Sequence, residues 1–277
     1  MSKVWFVTGS SRGFGRRFVE AALSRGDRVA ATARDTSSLD DLVATYGSAI
    51  LPLSLDVTDR DAVFAVVERA AANFGRLDIV VNNAGHGLFG AIEEVTEDAL
   101  RAQFEVGVFG ATWVTQAVLP ILRAQHSGHI VQISSTGGVL GWPTVGAYNG
   151  AKWAMEGMSE ALAQEVSHLG ISVTLVEPGA YATDWGGSSA VHSVPNPAYD
   201  PAREGLAAFM STLEFGDPDA AAQALLTVVD APQPPLRVFF GTQGNELVPQ
   251  VYADRLAGWQ QWQSVSVAAQ RSVAAVS

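Results

Sequence analysis

The sequence of 277 residues predicts a single α/β domain built on a doubly wound parallel sheet of seven strands. Short runs rich in β-branched residues alternate with longer helical stretches along the chain. The short runs are apolar along their whole length, which is typical of parallel strands covered on both faces. No linker, repeat or low-complexity tract separates them, and right-handed crossovers then place helices on both faces of the sheet.

Each element follows from its own pattern. The predicted strands are Val4–Thr8, Arg28–Ala33, Ile50–Leu55, Ile79–Asn82, His129–Ser134, Ile171–Val176 and Arg237–Phe240. The predicted helices are Gly13–Arg25, Asp59–Phe74, Glu97–Gln125, Val145–His168 and Pro218–Val229. Thr58, followed three residues later by Asp61, predicts a capping box at the start of the second helix.

Two regions fall outside this alternation. Residues 186–210 follow the sixth strand and begin with a stretch rich in Gly, Ser, Pro and Asn. Ligands bind at the carboxyl edge of such sheets, so we expect this region to be a substrate lid. Residues 259–277 carry Trp259 and Trp262, then become small and polar, and we expect a C-terminal tail with poorly ordered last residues.

Composition excludes several classes of function. A formal net charge of −11 argues against a nucleic-acid-binding surface, and the absence of cysteine excludes disulfides, thiolate metal sites and a cysteine nucleophile. The five histidines lack metal-ligand spacing, so we expect no metal site and mostly loop or surface positions. We see no signal peptide and expect no membrane span, which makes a cytoplasmic protein the default expectation.

A glycine-rich turn follows the first strand directly and opens the first helix. Gly9, Gly13 and Gly15 allow a tight turn, close approach of a pyrophosphate to the backbone, and close packing of helix on strand. The helix N-terminus supplies free amides and partial positive charge for an anion. The turn therefore predicts a nicotinamide dinucleotide site, and its GxxxGxG spacing differs from the general GxGxxG fingerprint.

The choice between NAD and NADP depends on the residues beside the adenosine ribose. The second strand ends at Ala33, where an acidic residue would favour NAD, and Arg34 follows. Arg12 lies inside the glycine turn, and two guanidinium groups suit a 2′-phosphate. These positions predict NADP(H), whereas NAD would compete if Asp35, and not Arg34, turned inward.

Tyr148 and Lys152 lie four residues apart in a predicted helix and so share one face. A tyrosine pKa of about 10 is too high for efficient proton exchange near neutrality, and a neighbouring ammonium would lower it. Ser135 stands at the end of a strand, thirteen residues before Tyr148, and its hydroxyl could hold a substrate oxygen beside the phenol. The three residues predict a site for acid–base chemistry on a carbonyl or alcohol.

Five motifs in this order resemble the classical short-chain dehydrogenase/reductase family. They are Thr8–Gly15, Asn82–Gly85, Ser135, the Tyr148 and Lys152 pair, and Pro178–Gly179. The resemblance runs from Val4 to about Thr183. It implies a seven-stranded Rossmann fold and reversible hydride transfer between NAD(P)H and a carbonyl or alcohol.

The resemblance also implies roles for individual residues. Tyr148 would be the general acid in reduction and the base in oxidation, with Lys152 lowering its pKa and binding the nicotinamide ribose, and Ser135 orienting the carbonyl. The implied cofactor-binding residues are Gly9, Ser11, Arg12, Gly13, Phe14, Gly15, Arg34, Asp56, Val57, Asn83, Ala84, Gly85, Tyr148, Lys152, Pro178, Gly179, Tyr181 and Thr183.

Gly107 departs from the family pattern, which usually places an asparagine in the long central helix. In the family that residue is thought to hold a water in a proton relay, largely through its main-chain carbonyl. Glycine keeps the carbonyl but loosens the helix. A backbone-only relay, a weakened enzyme and a deliberately altered chain all remain open.

The substrate face is expected to be apolar and aromatic, and to bind a hydrophobic ketone, aldehyde or alcohol. It would be built from the loop after Ser135, from residues 86–89 and from residues 181–210. The predicted substrate residues are His86, Phe89, Trp142, Tyr181 and Trp185. The two long helices are more apolar than one buried face requires, so a homodimer or homotetramer is expected.

The leading hypothesis is therefore an NADP(H)-dependent carbonyl reductase or alcohol dehydrogenase. A redox-neutral isomerase or epimerase of the same fold is a second hypothesis. A dinucleotide-binding sensor with little turnover, motivated by Gly107, is a third. The physiological substrate, its stereochemistry and the favoured direction do not follow from the sequence.

Overall fold

Seven parallel strands form one sheet in the computed structural model, which describes residues 2–270. The strands are β1 (Val4–Val7), β2 (Arg28–Ala33), β3 (Ile50–Ser54), β4 (Ile79–Asn82), β6 (Gly128–Ile133), β7 (Ile171–Pro178) and β9 (Arg237–Phe240). A separate parallel pair consists of β5 (Leu88–Phe89) and β8 (Val191–His192). The order in the main sheet is β3-β2-β1-β4-β6-β7-β9, which confirms the predicted single doubly wound α/β domain. The strand order reverses between β1 and β4, the place where such sheets open a ligand crevice.

Helices cover both faces of the sheet. They are α1 (Gly13–Ser24), α2 (Asp40–Tyr46), α3 (Arg60–Phe74), α4 (Glu97–Phe104), α5 (Ala111–Gln125), α6 (Gly146–Val166), α7 (Asp200–Ser211), α8 (Pro218–Asp230), α9 (Gln243–Gln261) and α10 (Gln263–Ala269). The predicted helices and strands are all present, with ends that differ by a few residues. Five helices and the β5–β8 pair were not predicted. The helices α2, α9 and α10 and these two-residue strands lack a strong periodic apolar pattern. The helix α7 lies within the predicted lid, and α5 was predicted as one helix with α4.

Alternation along β1 explains why the strands are apolar throughout. Trp5 and Val7 enter one core, where they meet α1 and α8, whereas Val4 and Phe6 enter the other, which α3 and α5 cover. All four side chains are fully buried. A strand that is buried on both faces has no polar side, so its sequence shows a continuous apolar run.

The start of α3 corrects one prediction. The N-terminal cap is Asp59, whose carboxylate accepts a hydrogen bond of 3.0 Å from the Ala62 amide. The predicted capping box of Thr58 and Asp61 is wrong, because the Thr58 hydroxyl donates to the Asp56 carboxylate at 2.8 Å. The loop between β3 and α3 thus uses Thr58 to hold Asp56, a residue that faces the ligand crevice.

The predicted helix Glu97–Gln125 is interrupted in the middle. Residues Glu105–Gly110 form a π-helical turn between α4 and α5, and this turn contains Gly107. Such turns are short, locally widened segments that occur frequently at functional sites. By length and composition the stretch 97–125 could also cross a membrane, which the sequence analysis did not expect. Its apolar side chains Val114, Val118 and Leu122 are buried against the sheet and α3, which accounts for their character.

The predicted lid, residues 186–210, holds β8 and most of α7. Side chains tie it to the short turn after β5: Arg203 donates to Glu94 at 2.7 Å, and the Asn196 amide donates to the same carboxylate at 2.6 Å. The region is therefore an ordered cover rather than an irregular loop, and its role as a lid remains a prediction. Residues 259–269 of the predicted tail are helical, and its last residues, 271–277, lie outside the described part of the chain.

Candidate functional site

The glycine turn connects β1 to α1 at the carboxyl edge of the sheet. Gly9 and Gly13 have φ values of +68° and +56°, a conformation that side chains disfavour. A Cβ atom on Gly15 would lie 2.2 Å from the Gly9 carbonyl oxygen, so only glycine lets the helix pack this closely on the turn. The Asn83 side chain donates to the carbonyl oxygens of Thr8 and Gly9 at 2.9 and 3.1 Å and fixes the turn against the end of β4.

A cavity of about 990 Å³ begins at this turn and runs along the carboxyl ends of β1, β4, β6 and β7. Every residue predicted for catalysis, cofactor or substrate lines it, with one exception. Gly15 does not face the cavity, because it packs behind the turn against Gly9. The structure therefore brings the predicted constellation to a single site.

Ser135, Tyr148 and Lys152 meet at the floor of the cavity. The Ser135 hydroxyl oxygen and the Tyr148 ring both lie 3.4 Å from the point where a Cβ atom on Gly137 would stand, so the two side chains are neighbours beside this glycine. The Lys152 ammonium is buried, donates to the Ile133 carbonyl at 2.7 Å and lies 5.8 Å from the centroid of the Tyr148 ring. The sequence of α6 places Tyr148 and Lys152 on one face, as their spacing predicted.

Burial dominates the electrostatics of this trio. It raises the pKa of Tyr148 to about 12, against a smaller opposing effect of the Ser135 hydroxyl. It lowers the pKa of Lys152 to about 8, and the Glu156 carboxylate opposes this. The predicted lowering of the tyrosine pKa is therefore not found in this structure, because desolvation of the phenolate outweighs the other effects. Tyr148 is protonated at neutral pH and can donate a proton.

Residues 3–192, well over half of the chain, match the family described as short chain dehydrogenase. The chain belongs to the short-chain dehydrogenase family. This confirms the resemblance found in the five sequence motifs. It also explains why the glycine turn, Ser135 and the Tyr148–Lys152 pair lie along one cavity.

Similar proteins cover nearly the whole length of this short-chain dehydrogenase. Oxidoreductase BOA17 of Botryotinia fuckeliana is 42% identical over 275 residues, which are 97% of this chain and 99% of that protein. A short-chain dehydrogenase from Streptomyces avermitilis is 42% identical, superposes with a TM-score of 0.91 and covers 97% of this chain and 98% of its own.

Two solved structures from Burkholderia contain different dinucleotides. The protein from Burkholderia phymatum, solved with NAD, has a TM-score of 0.81 and 23% identity over 93% of this chain and 95% of its own. The protein from Burkholderia cenocepacia, solved with NADP, has a TM-score of 0.75 and is 25% identical, over 94% of this chain and 97% of its own. A nicotinamide dinucleotide is thus bound on this fold in either form.

Aromatic side chains form the wall of the dehydrogenase cavity above Tyr148. The Trp185 ring lies edge-on to the Tyr148 ring, with centroids 5.0 Å apart, and Phe89 packs on Trp185 at 5.2 Å. Trp142 stacks on Phe209 at 5.0 Å. The cavity in this region is therefore apolar, as the sequence predicted.

Several cavity residues of α7 and the loop after it were not predicted individually from the sequence. These are Leu206, Phe209, Leu213 and Phe215, and Gln103 of α4 was missed as well. The spacing of Leu206, Phe209, Met210 and Leu213 is that of one apolar helix face, and this signal could have identified them.

The two predicted cofactor arginines have different surroundings. Arg34 lines the cavity, and the neighbouring Asp35 turns its carboxylate to the Ser37 amide at 3.0 Å. The Arg12 guanidinium contacts the lid instead, 3.0 Å from the Asp184 carboxylate and 3.0 Å from the Ser188 hydroxyl. In this structure Arg12 thus has an acidic partner at the position where a phosphate contact was expected.

Gly107 lies in the wall of the cavity on the π-helical turn. A Cβ atom there would be 3.6 Å from the Ala151 Cβ and 3.7 Å from the Gln103 amide nitrogen, both ordinary contacts. The space beside Gly107 is therefore open to a side chain, and the buried Gln103 amide faces it. Among residues 2–270, no group of three His, Cys, Asp or Glu side chains is arranged to hold a metal ion.

Proposed function

We propose that this protein is an NADP(H)-dependent oxidoreductase that interconverts a hydrophobic ketone or aldehyde and its alcohol. One observation carries the proposal: Ser135, Tyr148 and Lys152 converge at the floor of a cavity that begins at a glycine turn of dinucleotide-binding type. The reacting groups of the protein and the cofactor-binding turn thus belong to one continuous space. This is the arrangement that hydride transfer next to a proton donor requires.

The turn fits a dinucleotide phosphate. Arg12 precedes α1 without capping it through its side chain, so the first amides of the helix keep their hydrogen-bonding capacity. Free amides at a helix N-terminus favour a bound anion, and the absence of Cβ atoms at Gly9 and Gly13 lets a pyrophosphate approach. Gly9, Ser11, Gly13 and Phe14 would hold the diphosphate, and Asp56 and Val57 would line the adenine.

The orientation of Arg34 and Asp35 supports NADP(H). Arg34 faces the cavity and carries the positive charge that a 2′-phosphate needs, whereas the Asp35 carboxylate is occupied by the Ser37 amide. An inward Asp35 would have favoured NAD. NAD remains the alternative cofactor.

Tyr148 supplies the proton in this mechanism. When bound, the nicotinamide ring supplies or accepts the hydride at the carbonyl carbon. In reduction the Tyr148 hydroxyl donates its proton to the carbonyl oxygen, and in oxidation the phenolate takes it back. The Ser135 hydroxyl holds the oxygen, and the Lys152 charge stabilises the developing phenolate.

The aromatic wall supports a hydrophobic substrate. Trp142, Trp185, Phe89 and Phe209 present ring faces and edges to the space in front of Tyr148. Burying an apolar ligand against such rings is favourable, and the few polar groups at the floor would fix its carbonyl. His86 and Tyr181 border the same space.

The test is NADPH oxidation by the purified protein against a panel of aromatic and aliphatic ketones and aldehydes. We expect turnover with hydrophobic members of the panel. Tyr148→Phe should abolish turnover and leave NADPH binding nearly intact. Tyr46→Phe, on α2 and outside the cavity lining, should leave both turnover and NADPH binding unchanged. Tight NADPH binding without reduction or oxidation of any substrate would favour the sensor hypothesis that Gly107 motivates.

Arg34→Ala tests the cofactor. It should weaken NADPH binding at least tenfold more than NADH binding, because a charge-assisted contact to phosphate contributes about 1.5–3 kcal/mol. An equal loss for both dinucleotides would refute the preference for NADP(H).

We also propose a homodimer or homotetramer in the cytoplasm. Phe109 on the π-helical turn and Trp153 and Met158 on α6 are large, apolar and exposed in the isolated chain. Light scattering of the purified protein tests this assembly, and a monomeric mass would contradict it.

A further inference from the structure

A cluster of buried charges lies behind Lys152, on the side away from Tyr148. Glu156 follows Lys152 by one turn of α6, so the two side chains share one face of the helix. Glu156 is 5% exposed and Lys152 is 6% exposed. No carboxylate in the described part of the chain lies within ion-pair distance of the Lys152 ammonium, so Glu156 acts on it through space.

The guanidinium of one arginine contacts three carboxylates in this cluster. Arg237, at the start of β9, donates to Glu156 at 3.1 Å and to Glu160 at 2.8 Å. Its Nε atom also lies 3.5 Å from a carboxylate oxygen of Glu177, near the end of β7, which is 1% exposed. The second oxygen of Glu156 is buried without a hydrogen-bond partner, so Arg237 satisfies only half of this carboxylate.

The charges balance only when Lys152 is counted. Burial raises the pKa of Glu177 to about 8, with the neighbouring Glu156 acting in the same direction, so Glu177 is protonated at neutral pH. Burial also raises the pKa of Glu156, and the Ser134 hydroxyl, Arg237 and Lys152 oppose that rise. With Glu156 ionised beside these cations, Glu156 and Glu160 carry two negative charges, and Arg237 and Lys152 carry two positive ones. A buried charge is costly without an opposite charge nearby, and Glu156 is the buried carboxylate one helical turn from Lys152.

Other charged groups around Lys152 do not replace Glu156. The ammonium faces the Tyr148 phenol on its own helix and the Ile133 carbonyl on β6. His86, beyond β4, is half-buried, and Lys152 contributes to lowering its pKa. The Ser134 hydroxyl, at the end of β6, is neutral and buried beside Glu156. None of these groups supplies a negative charge while Tyr148 holds its proton.

We propose that Glu156 is a positioning residue of the reaction: its buried carboxylate is the counter-charge that keeps the Lys152 ammonium protonated beside Tyr148. The role in turnover rests on the proposed function. When Tyr148 gives up its proton, a charged lysine stabilises the phenolate in addition to the Ser135 hydroxyl. Without Glu156, burial would neutralise Lys152 at a lower pH, and the site would lose that stabilisation as the pH rises.

The sequence makes a direct test possible, because the chain has two lysines, Lys3 and Lys152. In the full-length protein labelled with ¹³C-lysine, the two side-chain signals are followed by NMR from neutral to alkaline pH. A Lys3→Arg variant assigns them. Lys3 also serves as the internal reference, since it lies at the far end of the sheet, paired with Asp230.

We expect Glu156→Gln to lower the pKa of Lys152 by about one unit, the effect of one charge one helical turn away in a buried site. The matched control is Glu160→Gln, which removes an exposed ion pair with the same guanidinium two turns from Lys152. It should leave the Lys152 titration unchanged. Identical titrations in Glu156→Gln and Glu160→Gln would overturn the proposal.

A second variant covers the case in which Glu156→Gln does not fold. Glu156→Gln combined with Arg237→Gln removes both partners of the buried pair, which is better tolerated than removing one. A smaller downward shift is expected, because removing the positive charge of Arg237 partly offsets removing the negative charge of Glu156. An unshifted Lys152 would again overturn the proposal. In carbonyl reduction, the fall of kcat/KM at high pH should begin at a lower pH in the variants, following the lower pKa of Lys152. Failure of the native protein to reduce any carbonyl would refute the proposed function, whereas the lysine titration still decides the role of Glu156.

Discussion

The indole ring of Trp185 lies edge-on to the phenol ring of Tyr148, with the ring centroids 5.0 Å apart. Trp185 comes from the lid side of the cavity and Tyr148 from α6, so the contact closes the floor of the cavity from above. It contributes to the burial that raises the pKa of Tyr148 to about 12. Trp185, which directly precedes the predicted lid, therefore influences the acidity of the residue that we propose as the proton donor.

Replacing Trp185 should shift the pH dependence of alcohol oxidation. In oxidation Tyr148 acts as a phenolate, so kcat/KM rises as the pH passes the tyrosine pKa. Trp185→Ala admits water to the phenol and moves its pKa from about 12 towards its ordinary value of about 10. The rising limb of kcat/KM with NADP⁺ and a secondary alcohol should move to lower pH.

Trp142→Ala is the control for this shift. Trp142 lines the same cavity but stacks on Phe209, not on Tyr148. The Trp142→Ala variant should raise KM for the substrate and leave unchanged the pH at which kcat/KM rises. If kcat/KM rises at the same pH in the two variants, Trp185 has no part in setting the pKa of Tyr148.

The ion pair between Arg12 and Asp184 should compete with NADPH. Arg12 pairs with Asp184, just before the predicted lid, at 3.0 Å, and both side chains are roughly half exposed. Asp184→Asn frees the guanidinium for a 2′-phosphate, which only NADPH carries. An exposed ion pair contributes about 1 kcal/mol or less, so we expect up to about fivefold tighter NADPH binding and little change for NADH.

Fluorescence titration with both dinucleotides measures this preference. Asp200→Asn serves as the control, because it removes an exposed carboxylate that pairs with Arg203 within the lid region. If the two variants affect NADPH and NADH alike, Arg12 does not exchange Asp184 for the cofactor.

The fold was predictable because its signals are local. Strands such as β1 are apolar on both faces, and the glycine turn combines a strand, a tight turn and a helix within a dozen residues. The cavity was predictable for a related reason: residues after parallel strands must meet at one edge of the sheet. Ser135 and Gly179 needed no knowledge of distant contacts to be placed there.

What the sequence did not reveal depends on contacts between distant segments. The Arg12 side chain meets Asp184, 172 positions later, and Trp142 stacks on Phe209. No local pattern predicts that Glu156 pairs with the guanidinium of Arg237 on β9. The π-helical turn at Gly107 is likewise a product of packing, since the apolar periodicity of the stretch continues through it.

Two glycines of this π-helical turn should respond differently to substitution. A Cβ atom on Gly107 meets only ordinary contacts, at 3.6 Å or more, whereas one on Gly110 would lie 2.8 Å from a methyl group of Val57. Gly107→Asn should therefore fold, with stability equal or higher by a few tenths of a kcal/mol, as expected when glycine leaves a helix. Gly110→Ala should lose about 1–3 kcal/mol by overpacking.

Urea unfolding of both variants checks the contrast, and turnover of Gly107→Asn adds a functional measurement. We expect the asparagine to leave turnover unchanged, because the backbone carbonyl of residue 107 is present in either case. A large increase in rate would instead show that the native chain is weakened by its missing side chain.

The stability of the protein in acid should depend on His129. This side chain is buried on β6, unlike the surface position expected for most histidines of the chain. Its Nε2 atom lies 2.8 Å from the Thr174 hydroxyl oxygen, and that hydroxyl donates its own proton to the Pro235 carbonyl at 2.6 Å. Thr174 therefore accepts from His129, which fixes the neutral ring with its proton on Nε2.

Burial, aided by the positive charge of Lys3, lowers the pKa of His129 from 6.5 to about 4. Between these values the unfolded chain binds a proton that the folded chain does not, so stability falls as the pH drops through this window. The slope from this group approaches about 1.4 kcal/mol per pH unit. His129→Gln, which keeps a donor for Thr174 but does not titrate, should flatten the loss of stability between pH 6.5 and 4, as measured by urea unfolding at successive pH values. The exposed His168→Gln should keep the native slope, and an equally steep loss in His129→Gln would assign the acid sensitivity to other groups.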